Sequence, residues 1–401
     1  MKNENKFKNK IMEHINANLK ELYNSKYDGI EKMRAFAREK DIYGPQLMSC
    51  HDDLYDSEKT KYKILFIGKE AGIYPDREIK TNINEILKCY VDFNMGKPLN
   101  KKPSKRHTPF WKAVFSLNGA LNPELSNEPC FLWSNVTKYS DDEKPIPDSI
   151  YAEYEKAIKE NLNILSDEIN IAKPDVIVFL SGPDGYDEKI KIQFDGEIQF
   201  DQVQDDIPVR EFARLIHKDL PEHTYRTYHP GAHSNESMKE KASVGYIDLI
   251  GLCVKGNYKP NLISNFKTQV REIATELGLI LTWGKEPWGL AESEFYFTKP
   301  EWKYTSIGFG FDKSWAKDFF YGICRKENDV VFSSKYQTEI LNCLGEGDGS
   351  NPKWPWWKYH EHKNWNAQTF IEIADGITLK EKIKQIVLII LKNLEEFELE
   401  L

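Results

Sequence analysis

The stretch KYKILFIGKEAG, residues 61–72, decides the fold class of the N-terminal part of the chain. Residues 64–67 form a short run of branched and aromatic apolar side chains, and glycines follow at 68 and 72. This pattern is typical of a strand buried on both faces of a parallel sheet and of the loop that leaves the strand.

Three later stretches repeat this pattern: FLWSNV at 131–136, DVIVFL at 175–180 and TYRTYHP at 224–230. Apolar residues at helical spacing separate them, around 109–117, 150–164 and 209–220, and also mark the first 60 residues. The alternation predicts an α/β fold, a three-layer α/β/α sandwich around a parallel four-stranded sheet. KIKIQFDGEIQF at 189–200 alternates around Asp195-Gly196, which predicts a surface hairpin between the third and fourth core strands.

A length of 401 residues, of which 40% are hydrophobic, favours two packed domains. The polar stretch KGNYKPN at 255–261 is the best boundary, so we expect domains at 1–256 and 257–401. The second domain reads as a smaller α+β unit. Its expected helices lie at 262–277, 336–344 and 377–394, and its strand-like segments at 294–302, 305–312 and 318–324.

Composition limits the class of protein. No apolar run reaches the roughly 18 residues that a membrane span needs, and the polar N-terminus has no secretory pattern, so we expect a cytoplasmic protein without membrane contact. The six cysteines form no CxxC pair, which argues against a zinc site or a disulfide framework. The net charge of -8 argues against sequence-independent coating of DNA, although a local basic patch would suffice for DNA contact.

Polar residues stand at the ends of three of the predicted core strands. Glu70 ends the first strand in GKEAG, Asn135 lies in FLWSNV, and His229 begins HPGAHS at 229–234. Ligands of open parallel α/β sheets bind beyond the carboxyl ends of the strands, so we expect these three side chains to meet. Each has a simpler interpretation by itself: a helix-capping carboxylate, a turn amide and a structural histidine.

In this order, the three motifs resemble those of the uracil-DNA glycosylase superfamily over about residues 60–255. The resemblance implies a DNA glycosylase that hydrolyses the N-glycosidic bond of a flipped base and leaves an abasic site, without metal or cofactor. Glu70 would position water or stabilise the sugar cation, Asn135 would read the base, and His229 would stabilise the leaving base. Ser234 matches the family loop, whereas His233 stands at the position of a leucine wedge and Gly231 replaces a phosphate-gripping serine.

Other positions bear on substrate and DNA. The resemblance places Gly72 where the uracil-specific family has a tyrosine that blocks C5 substituents, which implies a larger, modified pyrimidine. Phe110 is our candidate for stacking on the flipped base, with Tyr74 and Phe93 as alternatives. The stretch at 97–107 contains no acid, and its basic residues are candidates for phosphate contacts. The DNA-contact candidates are Lys101, Lys102, Lys105, Arg106, His233 and Ser234.

The expected function is therefore excision of a modified pyrimidine, with a role in removing modified bases from phage DNA. The alternatives are a uracil or mismatch repair glycosylase, and a catalytically silent module that binds DNA or a partner. No lysine occupies a motif position, so a lyase step is not predicted, although Lys69 and Lys138 keep it open.

The C-terminal part is distantly similar to domains that accompany PD-(D/E)XK nucleases. It has no acid and lysine pair at nuclease spacing, so we expect sensing or interaction instead of cleavage. The many tryptophans of this part are expected to build its core.

Overall fold

The structure is a computed structural model that describes most of the chain. The described residues are 15–50, 54–70, 82–93, 95, 106–141, 145–204, 207–231, 241–256, 262–284, 293–313, 316–326, 334–365 and 367–397. The chain divides into two compact units. Unit 1 consists of Met1–Val203 and Pro208–Val254, and unit 2 consists of Gln204–Ile207 and Lys255–Leu401. Within the described residues, every helix is too short or too polar to span a bilayer.

Unit 1 contains a mixed six-stranded sheet in the order β2-β1-β3-β6-β5-β4. Its strands are β1 (Ile64–Glu70), β2 (Leu132–Thr137), β3 (Val176–Phe179), β4 (Gln199–Gln202), β5 (Phe212–Ile216) and β6 (His223–Thr227). The four strands expected from the apolar runs, β2, β1, β3 and β6, pair in parallel. β5 pairs antiparallel with β6, and β4 pairs antiparallel with β5. The sheet is therefore mixed and has six strands, instead of the four parallel strands expected.

The insertion between β3 and β6 differs from the prediction in two ways. The expected hairpin around Asp195-Gly196 is wrong, because the preceding residues form a helix up to Gln193, although both turn residues do have positive φ (54° and 81°). The expected helix around 209–220 is also wrong, since Phe212–Ile216 is a strand paired with both β4 and β6. Phe212 and Leu215, three positions apart, fit one face of a helix, but they fit equally well the two opposite buried faces of an inner strand.

Helices surround the sheet of unit 1. They are α1 (15–25), α2 (Tyr27–Lys40), α3 (Ile83–Phe93), α4 (Pro109–Leu121), α5 (Asp148–Asn161), α6 (Leu165–Ala172), α7 (Tyr186–Gln193) and α8 (Tyr246–Val254), with a 3-10 turn at Pro123–Leu125 and a π-helical turn at Lys241–Gly245. Pro109 opens α4, where its missing N–H has no helical partner to lose. Residues 64–67 of β1 are fully buried, as expected for a central strand covered on both faces.

The chain that precedes the sheet pairs with the residues that directly follow β2. Tyr43 and Ser140 exchange backbone hydrogen bonds of 2.8 and 3.0 Å, and the N–H of Gln46 donates to the carbonyl of Lys138 at 2.9 Å. All six residues of β2 are buried although the strand pairs with β1 alone. The segment at 43–46 therefore forms a short antiparallel bridge to residues 138–140, and this bridge holds Gln46 within reach of Asn135.

Unit 2 is built on an antiparallel sheet in the order β11-β10-β9-β8-β7. Its strands are β7 (Ile280–Trp283), β8 (Glu294–Thr298), β9 (Thr305–Lys313), β10 (Lys317–Arg325) and β11 (Trp356–Tyr359), and its helices are α9 (Leu262–Glu276), α10 (Ser334–Leu344), α11 (Ala367–Ala374) and α12 (Thr378–Phe397). Phe295, Phe309 and Phe319 are fully buried, and Phe266 of α9 packs against Phe295 at 6.0 Å between ring centroids. Four tryptophans of this unit, Trp302, Trp354, Trp356 and Trp365, are likewise buried, which agrees with the expected core role.

Candidate functional site

The site lies at the carboxyl ends of the parallel strands of unit 1. Gly68 pairs in register with Asn135, and Glu70 pairs with Thr137. Side chains alternate between the faces of a strand, so Gly68 and Glu70 belong to the same face of β1. His229 follows the end of β6 by two residues.

The amide of Asn135 lies over Gly68. Asn135 is buried, and a β-carbon at Gly68 would collide with its Oδ1. Its Nδ2 donates a hydrogen bond to Oε1 of Gln46. The orientation of the amide is therefore held from one side by Gln46, and the oxygen is the atom above Gly68.

Phe110 connects Gly68 to His229. Its Cε2 atom lies 3.6 Å from the position that a β-carbon at Gly68 would take. Its ring faces the imidazole of His229, with centroids 5.5 Å apart and planes inclined by 19°. A continuous set of contacts thus runs from Asn135 through Gly68 and Phe110 to His229.

The tautomer of His229 follows from a hydrogen bond within its own loop. The backbone N–H of Gly231 donates to Nδ1 of His229 at 3.1 Å. Because Nδ1 accepts, the proton of the neutral imidazole resides on Nε2, and Nε2–H is a donor. The backbone N–H of Gly231 thus orients the imidazole of His229.

Glu70 is the acidic member of the site. Burial raises the pKa of its carboxyl group above the usual value, while the positive charges of Lys189 and Lys69 act in the opposite direction. Oε1 of Glu70 is buried and has no hydrogen-bond partner among the described residues. A desolvated carboxylate oxygen of this kind is typical of a group that receives its partner from substrate or water.

Lys189 extends from α7 toward Glu70. Its Nζ lies 4.2 Å from the ring centroid of Tyr151 and 4.4 Å from that of Tyr186. Burial lowers the pKa of Lys189, and the negative charge of Glu70 opposes this shift. The helix that carries Lys189 is tied to β6 by Arg226 and Asp187, whose two hydrogen bonds are both 2.9 Å long.

Other predicted residues lie elsewhere. Phe93 packs in an aromatic cluster, with its ring centroid 5.7 Å from that of Trp111 and 5.3 Å from that of Trp133. The guanidinium of Arg106 lies over the ring of Phe115 at 4.4 Å. Several predicted residues lie outside the described residues: Gly72, Tyr74, Lys101, Lys102, Lys105, His233 and Ser234.

The two lysines considered for a lyase step have different surroundings. Nζ of Lys138 donates to Glu168 and Ser134, both at 2.6 Å, and the side chains of Lys138 and Glu168 are 4% and 0% exposed. Tyr23 donates to the other oxygen of Glu168 at 2.8 Å. Lys138 therefore belongs to a buried polar network, whereas Nζ of Lys69 lies 5.2 Å from the ring centroid of Tyr186.

Sequence reasoning missed Gln46 and Lys189. Gln46 lies 89 positions before Asn135 in an irregular segment, and no motif marks it. The sequence predicts a hairpin strand for Lys189, whereas this residue lies in the helix Tyr186–Gln193 that follows β3.

The arrangement combines a desolvated carboxylate, an amide oxygen that accepts hydrogen bonds and an imidazole N–H that donates them. Such a set can stabilise a cationic centre on one side of a bound molecule and an anionic centre on the other. Among the described residues, no three His, Cys, Asp or Glu side chains are grouped so that they could hold a metal ion.

Comparison of the chain with protein-family models, with curated proteins and with solved structures finds no match.

Proposed function

We propose that unit 1 is a DNA glycosylase that hydrolyses the N-glycosidic bond of a flipped pyrimidine. The observation that carries this proposal is the contact path from Asn135 through Gly68 and Phe110 to His229, with Glu70 two residues beyond Gly68 on the same strand face. Asn135, Phe110 and His229 are far apart in the chain, and their side chains lie in one set of contacts near the carboxyl ends of the parallel strands.

The chemistry of the bond explains the choice of residues. Cleavage of an N-glycosidic bond develops positive charge on the sugar and negative charge on the departing base. A carboxylate stabilises the first and orients a water molecule, and a neutral N–H donor stabilises the second. Glu70 is assigned to the sugar and water, and the Nε2–H of His229 to the base oxygen.

Asn135 is assigned to base recognition. With Nδ2 engaged by Gln46, its Oδ1 is an acceptor for a donor on the base edge, either N3–H of a uracil or thymine type or the amino group of a cytosine type. Phe110 contributes an aromatic face beside this amide, and its ring is held parallel to His229.

The finer fold assignment belongs to the same proposal. Four mutually parallel strands, flanked by helices and carrying the three motifs near their carboxyl ends, are what the resemblance to the uracil-DNA glycosylase superfamily implies. In this interpretation β4 and β5 are an addition to a four-stranded uracil-DNA glycosylase-like core.

The proposed substrate is a pyrimidine with a C5 substituent, such as a modified base in phage DNA. This rests on Gly72, whose lack of a side chain leaves room at C5 in the family's arrangement. Extrusion of the base from the duplex costs a few kcal/mol and is easiest for mismatched or altered bases.

The test is a panel of duplexes with uracil, a thymine mismatch, 5-hydroxymethylcytosine or glucosylated 5-hydroxymethylcytosine, incubated with the full chain and then treated with alkali. We expect strand breakage at a modified pyrimidine, and its loss in Glu70→Gln and His229→Ala. Breakage at uracil alone would replace this proposal with a repair glycosylase. A folded protein that breaks no duplex, or that stays fully active as the double variant, would indicate a silent binding module.

A further inference from the structure

The amine of Lys189 lies between two aromatic rings beside the candidate site. Its Nζ is 4.2 Å from the ring centroid of Tyr151 on α5 and 4.4 Å from that of Tyr186 on α7. The side chain is half-buried and forms no ion pair with a carboxylate of the described residues. Aromatic rings attract an ammonium group but do not take up its proton, so the nitrogen stays available to a reacting group.

A second lysine lies at the same aromatic ring. Nζ of Lys69, the residue before Glu70 on β1, is 5.2 Å from the ring centroid of Tyr186. Burial lowers the pKa of Lys189, and the positive charge of Lys69 lowers it further. Three carboxylates oppose this shift without reversing it: those of Glu70, Glu155 and Asp148. A lysine that is desolvated beside another cation has a larger neutral fraction at neutral pH, and the neutral amine is the nucleophile.

Two buried polar atoms near Lys189 lack a hydrogen-bond partner among the described residues. They are Oε1 of Glu70 and the hydroxyl oxygen of Tyr186, a residue that is only 5% exposed. The carboxylate of Glu70 acts electrostatically on both Lys189 and Tyr151, which places it near the amine. Buried polar groups are nearly always hydrogen-bonded, so two such atoms around one amine indicate a site that a polar ligand completes.

We propose that Lys189 is a nucleophile that forms an imine with the aldehyde of an abasic deoxyribose, and that unit 1 thereby also cleaves the DNA strand at that sugar. The choice of aldehyde rests on the proposed function, because base excision leaves an abasic deoxyribose whose ring opens to expose an aldehyde at C1′. The sequence predicts no lyase step, since Lys189 stands in no motif.

The reaction consists of imine formation, elimination and hydrolysis. The neutral amine of Lys189 attacks C1′, a C=N bond forms, and the aldehyde oxygen leaves as water with a hydrogen bond from the hydroxyl of Tyr186. The carboxylate of Glu70 takes a proton from C2′ and passes it to water. The electrons of that C–H bond form a C2′=C3′ double bond, and those of the C3′–O bond leave with the phosphate. Water then hydrolyses the imine and returns the amine.

The test uses a duplex with one chemically prepared abasic deoxyribose, so that no base has to be excised first. The full chain is incubated with this duplex and cyanoborohydride, which reduces an imine to a stable amine and joins protein and DNA covalently. We expect an adduct that mass spectrometry locates on Lys189. Without the reductant, the strand should break before any treatment with alkali. A duplex with tetrahydrofuran in place of the abasic sugar has no aldehyde and should give no adduct.

Variants identify the reacting amine. Lys189→Arg keeps a positive charge between the rings but forms no imine, so the yield of adduct should fall at least about ten-fold. Lys191→Arg makes the same change in α7 at a lysine that pairs with Glu188 at 2.6 Å, and should give as much adduct as the native chain. Thermal unfolding checks that each variant is folded. An adduct that maps to Lys69, an undiminished adduct in Lys189→Arg, or no adduct from the folded native chain would overturn the proposal.

The result is separable from that of the base-excision test. An adduct at Lys189 on the prepared abasic duplex, without excision from any duplex of the panel, would support this inference and contradict the glycosylase proposal. Excision of a base without an adduct on the abasic duplex would support the glycosylase proposal and overturn this inference.

Discussion

Oδ1 of Asn135 occupies the space into which a β-carbon at Gly68 would project. Gly68 is needed for this close approach, since its backbone lies in an ordinary strand without positive φ. Gly68→Ala is expected to displace the Asn135 amide from its place beside Phe110. Activity on the cleaved duplex should fall at least ten-fold, and the free energy of unfolding should fall by about 1–3 kcal/mol, the usual cost of overpacking.

The matched control is Gly251→Ala. A β-carbon there would lie 3.6 Å from Cδ1 of Leu117, an ordinary contact, so this variant should keep its activity. Equal activity of the two variants would show that Gly68 is not part of the site.

Glu70→Gln should separate stability from activity. The pKa of Glu70 is raised in the folded chain because burial disfavours its charge, so the folded state binds this proton more tightly than the unfolded state. At a pH above both pKa values, the charged Glu70 carboxylate therefore lowers the free energy of unfolding. This loss disappears as the pH falls through the raised pKa. At pH 7.5, a neutral glutamine should leave the stability unchanged or raise it by about 1 kcal/mol, while activity is lost.

Thermal unfolding and single-turnover cleavage of the same preparations measure both effects. Marked destabilisation by Glu70→Gln would identify a structural carboxylate and contradict the assigned role.

Lys189→Met should move the acid limb of the pH–activity profile to higher pH. Lys189 lowers the pKa of Glu70, so its removal raises that pKa further, and the carboxyl group becomes protonated at a pH where it is still ionised in the native chain. Lys191→Met, on the same helix and paired with Glu188 at 2.6 Å, is the control and should leave the profile in place. A shift to lower pH, or equal shifts in both variants, would exclude this coupling.

Lys138→Met should lower the free energy of unfolding by about 3–5 kcal/mol, because it leaves the fully buried Glu168 without its cation. Urea denaturation measures this loss. Lys156→Met removes an exposed pair with Glu160, whose atoms are 4.0 Å apart, and should change stability by less than about 0.5 kcal/mol. A covalent adduct between Lys138 of the native chain and abasic DNA, trapped with borohydride, would contradict the structural role of Lys138.

The lowered pKa of His360 predicts that unit 2 loses stability in acid. Burial and the charges of His362 and Lys382 lower the pKa of His360 from 6.5 to about 4, while Glu361 and Glu372 act in the opposite direction. The folded state therefore binds this proton less tightly than the unfolded state, and the stability present above pH 6.5 is lost as the pH falls toward 4. The loss from this group alone is about 3 kcal/mol between pH 7 and 4.

In His360→Asn, whose Oδ1 can still accept the N–H of His362, the difference in stability between pH 7 and 4 should shrink by that amount. Denaturant unfolding at the two pH values gives this difference for each protein. An unchanged difference would show that other groups cause the acid loss.

The sequence predicted the parallel strands well, because residues 64–67 and 176–179 are short, continuous apolar runs rich in branched and aromatic residues, which is typical of a strand covered on both faces. The prediction was wrong in the insertion between β3 and β6. There Phe212 and Leu215 suit a helix and a strand equally, and pairing with β4 and β6 determines that the segment is a strand. Long-range pairing of this kind leaves no local signal.

The candidate site could likewise be predicted from the sequence only in part. Glu70 and His229 stand in recognisable motifs at strand ends, so their placement could be predicted. The orientation of Asn135 depends on Gln46, which is 89 positions away, and no periodicity connects the two.

The segment at 43–46 has a consequence for any shortened form of this protein. A chain that began near residue 60, where the motifs start, would leave backbone groups of Lys138 and Ser140 open to other chains. It would also lose Gln46, the partner of the Asn135 amide. Such a fragment should self-associate, and, if unit 1 has the proposed function, it should also lose base discrimination. The segment at 43–46 thus protects the backbone after β2 from pairing with another chain.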